Sequence, residues 1–275
     1  MATLIERLQK RPGASAIVVV GLAVAAFAAN VYGPSGRLST RGGWIATILI
    51  LIAGIAVIGA TVNGRPAGVL IDNRNRVSLS KFQATLWTVL IISALVAGVG
   101  MNFNDHQLSP LEIQIPDELL VAMGISAASL VGTPMLLSLK TDGVSPAPAV
   151  ARTADKLNLD VTEVKQQGRV FARTDAADAS WADMFRGDET SNAGDADLSK
   201  VQQFFISLLL VAVYGAAVWK LFGEPGPVSS LPPLSEKFVW LMGISHASYL
   251  AYKAAPHGAS QPGNGSADPT IESVG

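Results

Sequence analysis

The sequence predicts an all-α integral membrane protein. It should have six transmembrane helices, with helices 3–4 and 5–6 forming a parallel tandem repeat and a cytoplasmic arm between helices 4 and 5. Three observations lead there. The 275-residue chain is 49% hydrophobic and only 15% charged, where a soluble domain carries about 25% charged residues. Its apolar residues are clumped into long runs free of Asp, Glu, Lys and Arg. The phrase Leu-Ser-Lys-x-Gln occurs twice, at 79–83 and 198–202, each time opening onto an apolar run.

The uncharged runs are 14–32, 44–62, 84–101, 119–139, 201–219 and 238–252. A helix rises about 1.5 Å per residue, so about 20 apolar residues cross a bilayer core. The first four runs reach that length and the fifth is adequate. The sixth is short, but Lys237 and Lys253 flank it and can extend to the headgroups. The first run follows Arg7, Lys10 and Arg11, and Ala26-Phe27-Ala28 resembles a signal-peptide cleavage site. The run continues past that site to Tyr32, which favours an uncleaved helix; cleavage would leave five helices with the same sidedness. The chain thus divides into a two-helix membrane segment (1–63), a first membrane hairpin (64–139), a partly ordered arm (140–197), a second membrane hairpin (198–253) and a disordered tail (254–275) rich in Gly, Pro, Ser and Asn. With the N-terminus inside, sixteen of the twenty Lys and Arg residues fall on the inner side and four on the outer, so both termini and the arm are expected in the cytoplasm.

The repeated phrase sits at the inner end of helices 3 and 5. Ser80 with Gln83, and Ser199 with Gln202, have the S-x-x-Q spacing of a capping box, in which the hydroxyl and the amide each satisfy a helix-end N–H. Lys81 and Lys200 should then lie at headgroup level. The repeat extends beyond the phrase. At the same offset Gly68 matches Gly187, Asn73 matches Asn192, and Met-Gly-Ile-Ser at 123–126 matches 242–245. Both copies start on one side, which makes the duplication parallel rather than inverted.

The second helix of each unit carries the polar content. Gly124 and Ala128, and Gly243 and Ala247, are small residues four apart that would let helices approach closely. Ser126, Ser129, Ser245 and His246 lie on the same helices, and His246 falls near the bilayer midplane. An ionisable group at that depth is a functional candidate; its competing role is a neutral interhelical link to a hydroxyl such as Ser126 or Ser129. Copy one has Ala127 in its place. His106 and His257 lie in polar loops, and Thr133-Pro134 should bend or end helix 4.

In the arm, 144–150 reads as a stiff Pro/Ala linker, 151–167 as one or two short helices, and Ser180-Trp-Ala-Asp183 as a helix cap. Trp181, Met184 and Phe185 are candidate contacts for a protein partner or for lipid. The acidic turn 186–195 lacks the Gly and Glu that a calcium loop needs at its sixth and twelfth positions. With few large apolar residues, the arm should bury little.

The segments "GVLIDNRNRVSLSKFQATLW", "SWADMFRGDETSN" followed by "DLSKVQ", and "GISHASYLAYK" resemble a family of uncharacterised bacterial multi-pass inner-membrane proteins with duplicated LS(K/R)xQ…MGIS hairpins; the resemblance covers about 65–255. It implies the bacterial inner membrane and this fold, and it transfers no catalytic residue. The chain has no cysteine, hence no disulfide or thiolate metal site. It carries no H-E-x-x-H, G-x-S-x-G or P-loop and no basic nucleic-acid surface. No catalytic, cofactor or metal residue is therefore expected. The expected function is a non-enzymatic anchor or scaffold presenting the arm to a cytoplasmic protein partner. The alternative is an oligomeric small-solute channel or transporter built around His246. The expected partners are the lipid bilayer, such a protein, and further copies of the chain, with no nucleic acid.

Overall fold

The structure is a computed structural model that describes residues 6, 9, 10, 12–31, 40–105 and 109–257. Arg7, Arg11, Arg37, His106 and the tail beyond His257 lie outside the described residues. Among the described residues the α-helices that organise the chain are α1 (Pro12–Val31), α2 (Thr40–Asn63), α3 (Leu79–Asp105), α4 (Asp117–Ser138), α5 (Ala147–Leu157), α6 (Leu198–Leu221) and α7 (Glu236–Ala254). Five of them, all but α5 and α7, are long and apolar enough to cross a membrane. Helix α7 has 19 residues but carries Glu236, Lys237, His246 and Lys253, which keeps it below that mark.

The outer spanning helices bury a minority of their residues and turn the rest of their apolar surface outward, as expected where lipid rather than water surrounds the bundle, whereas α3 is half buried. Helix α4 buries Leu119, Ala122, Ser126, Ser129, Thr133 and Leu137. Helix α6 buries Lys200, Gln203, Ser207, Leu210, Tyr214 and Val218. Both stripes follow the three-and-four spacing of a single helix face. Val131, Met135, Phe205, Leu209, Trp240 and Ile244 are exposed. Helix α3 is central and contacts α1, α2, α4 and α6; α4 packs along α7. The neighbours fix direction: Gln83 meets Gln203 and Trp87 meets Tyr214, while Ser129 meets His246 and Thr133 meets Tyr249. Residue numbers rise together across both interfaces, so α3 runs parallel to α6 and α4 parallel to α7. Helix α4 runs through Pro134 to Ser138 without ending there.

At one end of the bundle the connections 109–116 and 223–235 pair with each other. Gln114 N–H donates to the Ser229 carbonyl at 2.9 Å, Leu231 N–H donates to Gln114 at 3.0 Å, and Asn102 exchanges two bonds with the Val228 backbone at 2.8 and 2.7 Å. At the other end sits the segment 140–197, hereafter the cap. It holds α5, a hairpin of β1 (Lys165–Gln167) and β2 (Val170–Ala172), and short 3₁₀ turns. Two expectations change here. Helix α5 begins inside the Pro/Ala stretch, because Pro148 in the first turn lacks only an N–H that has no helical partner anyway. A hairpin with Gly168 at φ +62° stands where the end of a helix was expected. The cap also buries far more than its composition suggests. Val170, Phe171, Ala172, Asp183, Met184, Asp188, Glu189 and Thr190 are all buried. Much of that interior is ionic, which a count of large apolar residues does not register.

Candidate functional site

The cap is joined to the helix ends by a buried ion cluster centred on Asp188. Its Oδ1 receives Arg74 Nη1 at 2.9 Å and faces Arg76 Nη1 at 3.6 Å; its Oδ2 receives Lys200 Nζ at 3.0 Å and Lys253 Nζ at 2.9 Å. Arg74 and Arg76 lie on the loop before α3, Lys200 in the first turn of α6 and Lys253 in the last turn of α7. One carboxylate therefore gathers the segments leading into both hairpins. Around it, Asp72 holds Arg74 (2.6 Å), Asp183 holds Arg173 (2.8 Å), and Glu189 holds Lys140 (2.8 Å) and Arg169 (3.0 Å). Arg65 Nη1 donates to the Ala179 carbonyl at 2.7 Å and ties the end of α2 to the same cap. The chain after α7 is drawn in as well: His257 N–H donates to Glu189 at 2.8 Å.

Buried charges persist only when paired, and here the pairing sets their acidity. Burial pushes the Asp188 carboxyl up, but Lys200, Lys253 and the two arginines outweigh it and hold the group well below the usual carboxylate range. Burial likewise opposes ionisation of Asp183, and the bond from Arg173 with the charge of Arg76 brings it below its ordinary value. Burial and the neighbouring Arg74 lower the Arg76 guanidinium. Arg76 also donates to the Gly187 carbonyl at 2.7 Å and stacks over Phe171 at 5.3 Å.

The repeated phrase has a different basis from the expected capping boxes. In each copy the loop ahead of the helix is pinched by a backbone bridge, Ile71 to Val77 and Arg186 to Ala196. The lysine of the phrase donates into that pinch: Lys81 Nζ to the Ile71 carbonyl and Lys200 Nζ to the Arg186 carbonyl, both at 2.6 Å. Ser199 does not cap α6. Asp197 does, accepting from Ser199 N–H at 3.0 Å and Lys200 N–H at 3.3 Å, since its carboxylate is the stronger acceptor. Ser80 lies inside the bundle, 2.8 Å from Thr133 Oγ1 and 3.3 Å from Tyr249 OH. Gln83 does not fold back on its own helix but crosses to α6: it donates to Ser207 Oγ at 2.5 Å and accepts from Gln203 at 3.0 Å. Gln202 is exposed. Lys200, expected at headgroup level, is buried in the ion cluster.

His246 is buried, and its Nδ1 shares a 2.5 Å hydrogen bond with Ser129 Oγ. Its Nε2, Ser126 Oγ and Ser245 Oγ are buried without a hydrogen-bond partner among the described residues. The small-residue seam lies elsewhere than expected. Gly124, Ala128 and Ala247 are exposed, and a Cβ on Gly124 would meet nothing within 4 Å; only Gly243 faces a neighbour, Ile125 at 3.6 Å. Ser129 and His246 pair with each other on the inward face of these helices, which leaves the glycine–alanine rows outside. Of the three arm candidates, Trp181 alone is exposed, packed edge-on to Phe82. Met184 is buried beneath Ala179 and Leu79, and Phe185 packs against Phe204 with ring centres 5.0 Å apart. Asp183 does cap the 3₁₀ turn with Ser180, as their spacing predicts.

Comparison with known proteins finds no matching family model, no matching curated protein and no matching solved structure.

Proposed function

We propose that the chain is a non-enzymatic scaffold of the bacterial inner membrane, with six spans and both termini in the cytoplasm, whose helices hold the cap as a fixed platform for a cytoplasmic protein partner. The observation that carries this reading is the convergence on Asp188 of cations from the loop before α3, from α6 and from α7. A flexible tether would not need its acidic turn buried between two helix pairs. The excess of Lys and Arg on the cap side supports the cytoplasmic placement. Helix α7 serves as the sixth span in this reading, supported by its length of 19 residues and its packing along α4. The identical lysine-to-carbonyl bonds at Lys81 and Lys200 support a duplicated hairpin. The free face of the platform includes Asp155 and Lys165, both exposed.

The test is site-specific photo-crosslinking in intact membranes from positions 155 and 165, with lipid-facing position 209 as control. A discrete protein adduct from the cap positions alone supports the scaffold. A second reading, passage of a small polar solute past His246, is favoured by the unpartnered His246 Nε2, Ser126 and Ser245 atoms on the α4–α7 face. Solute flux into vesicles that is lost in His246→Ala would favour it over the scaffold.

A further inference from the structure

A crevice of about 230 Å³ lies where the first turn of α3 meets the last turns of α4, under the loop 72–78. Its lining has two zones. Asn73, Ser78 and Lys81 form a polar rim, and Leu130, Pro134 and Leu137 form an apolar wall. A smaller recess, bordered by Asn73, Arg74, Pro134 and Leu137, continues it towards the cap hairpin. Helix α3 begins at Leu79 and α4 ends at Ser138, and both are long and apolar enough to span a membrane. The crevice therefore sits at the depth where lipid headgroups meet the acyl region.

We propose that this crevice seats one anionic phospholipid, its phosphate on the polar rim and the start of an acyl chain on the α4 wall. The donors suit a phosphate. Lys81 Nζ gives one N–H to the Ile71 carbonyl and has two left, since an ammonium carries three. Asn73 is exposed and its amide makes no hydrogen bond among the described residues. Among the described residues the Ser78 hydroxyl serves only as a long acceptor for Lys81 N–H at 3.5 Å. Asp72 also borders the crevice, but two bonds from Arg74 engage its carboxylate. The charge behind the crevice has the required sign: in the ion cluster basic side chains outnumber carboxylates by seven to four. Cationic side chains at the cytoplasmic boundary attract anionic headgroups. Below the rim, Val131 and Met135 are exposed on the outer side of α4, so a chain leaving the crevice would stay on apolar surface. This site rests on the cytoplasmic placement of the cap proposed above, and not on a protein partner.

The test is native mass spectrometry of the full chain in detergent, with added phosphatidylglycerol or phosphatidylcholine of identical acyl chains. Wild type should retain phosphatidylglycerol at collision energies that strip phosphatidylcholine. Asn73→Asp places a negative charge on the rim in a side chain of unchanged shape, and should reduce phosphatidylglycerol retention at least fivefold; Lys81→Gln should do the same and Lys81→Arg should not. Amide-exchange protection of the cap, measured in each variant, separates loss of binding from loss of folding, and Asn73→Asp is read with protection intact. Equal retention of the two lipids, or undiminished retention in folded Asn73→Asp, would overturn the assignment. So would displacement of phosphatidylglycerol by millimolar inorganic phosphate, because the site would then take a free anion rather than a lipid.

Discussion

Replacing Asp188 with Asn keeps the side chain's shape and removes the one negative charge that four cations share. Lys200, Lys253 and Arg74 each lie 2.9–3.0 Å from it and Arg76 lies at 3.6 Å. At an effective dielectric of about 20, a pair about 3 Å apart is worth roughly 5 kcal/mol before desolvation is subtracted. Desolvation cancels much of that gain, yet removing one partner from a buried cluster still costs about 3–5 kcal/mol, because the remaining charges stay buried and uncompensated. The carboxamide would also turn N–H donors towards ammonium and guanidinium groups. Since about 1.4 kcal/mol is a factor of ten, the ratio of docked to undocked cap should fall by roughly 10²–10⁴. Hydrogen exchange of amides in α5 and the hairpin reads that ratio directly, because local opening limits their protection. Protection across 147–172 should drop by at least 100-fold in Asp188→Asn and stay near wild type in Asp142→Asn, an exposed carboxylate of the same segment. Unchanged protection in Asp188→Asn would refute the idea that this carboxylate locks the cap.

Acid should release the cap through the same groups: Asp188 and Asp183 are held below their ordinary values, so their contribution is complete above about pH 4 and is lost as pH falls through their folded values, which the emission of Trp181 would follow. A cap that detached between pH 5 and 8 would contradict this. His246→Ala removes the bond to Ser129 and should cost about 0.6 kcal/mol and at most about 2, measured as stability in detergent; a loss well beyond that would show the imidazole to be structurally essential. Gly168→Ala should destabilise the cap by about 2 kcal/mol or more, because a left-handed alanine costs roughly 1–2 kcal/mol and its Cβ would overlap the Thr141 carbonyl. Gly143→Ala, also at positive φ but with its nearest neighbour at 3.9 Å, should show the conformational cost alone, so equal losses at the two positions would contradict the steric part.

The helices were legible because lipid-facing helices need long uncharged runs, and those runs stand out in any reading of the chain. The polar interior was legible only as composition. Ser126, Ser129, Ser245 and His246 could be placed on the second helix of each hairpin, but which side faced inward depended on the neighbours, and the glycine–alanine spacing pointed to the wrong side. The capping boxes failed for a related reason: S-x-x-Q spacing fits a cap, but Gln83 had a better partner across the bundle in Gln203, and Asp197 was a stronger acceptor than Ser199. The ion cluster was the largest omission. Its members are far apart in sequence, and an acidic turn reads as solvated until the arginines of the loop 65–76 and Lys253 are seen beside it. The signal available was complementary charge: Arg74-Asn-Arg76 leads into one hairpin and Asp188-Glu189 into the other.

The central claim is that the cap is a platform for a protein partner, and photo-crosslinking from positions 155 and 165 in intact membranes tests it most directly. The account predicts one reproducible protein adduct from these two exposed cap positions, none from position 209, and loss of the adduct in Asp188→Asn, in which the platform is undocked. Absence of any protein adduct from the cap positions, or an adduct that survives undiminished when the cap is released, would contradict it.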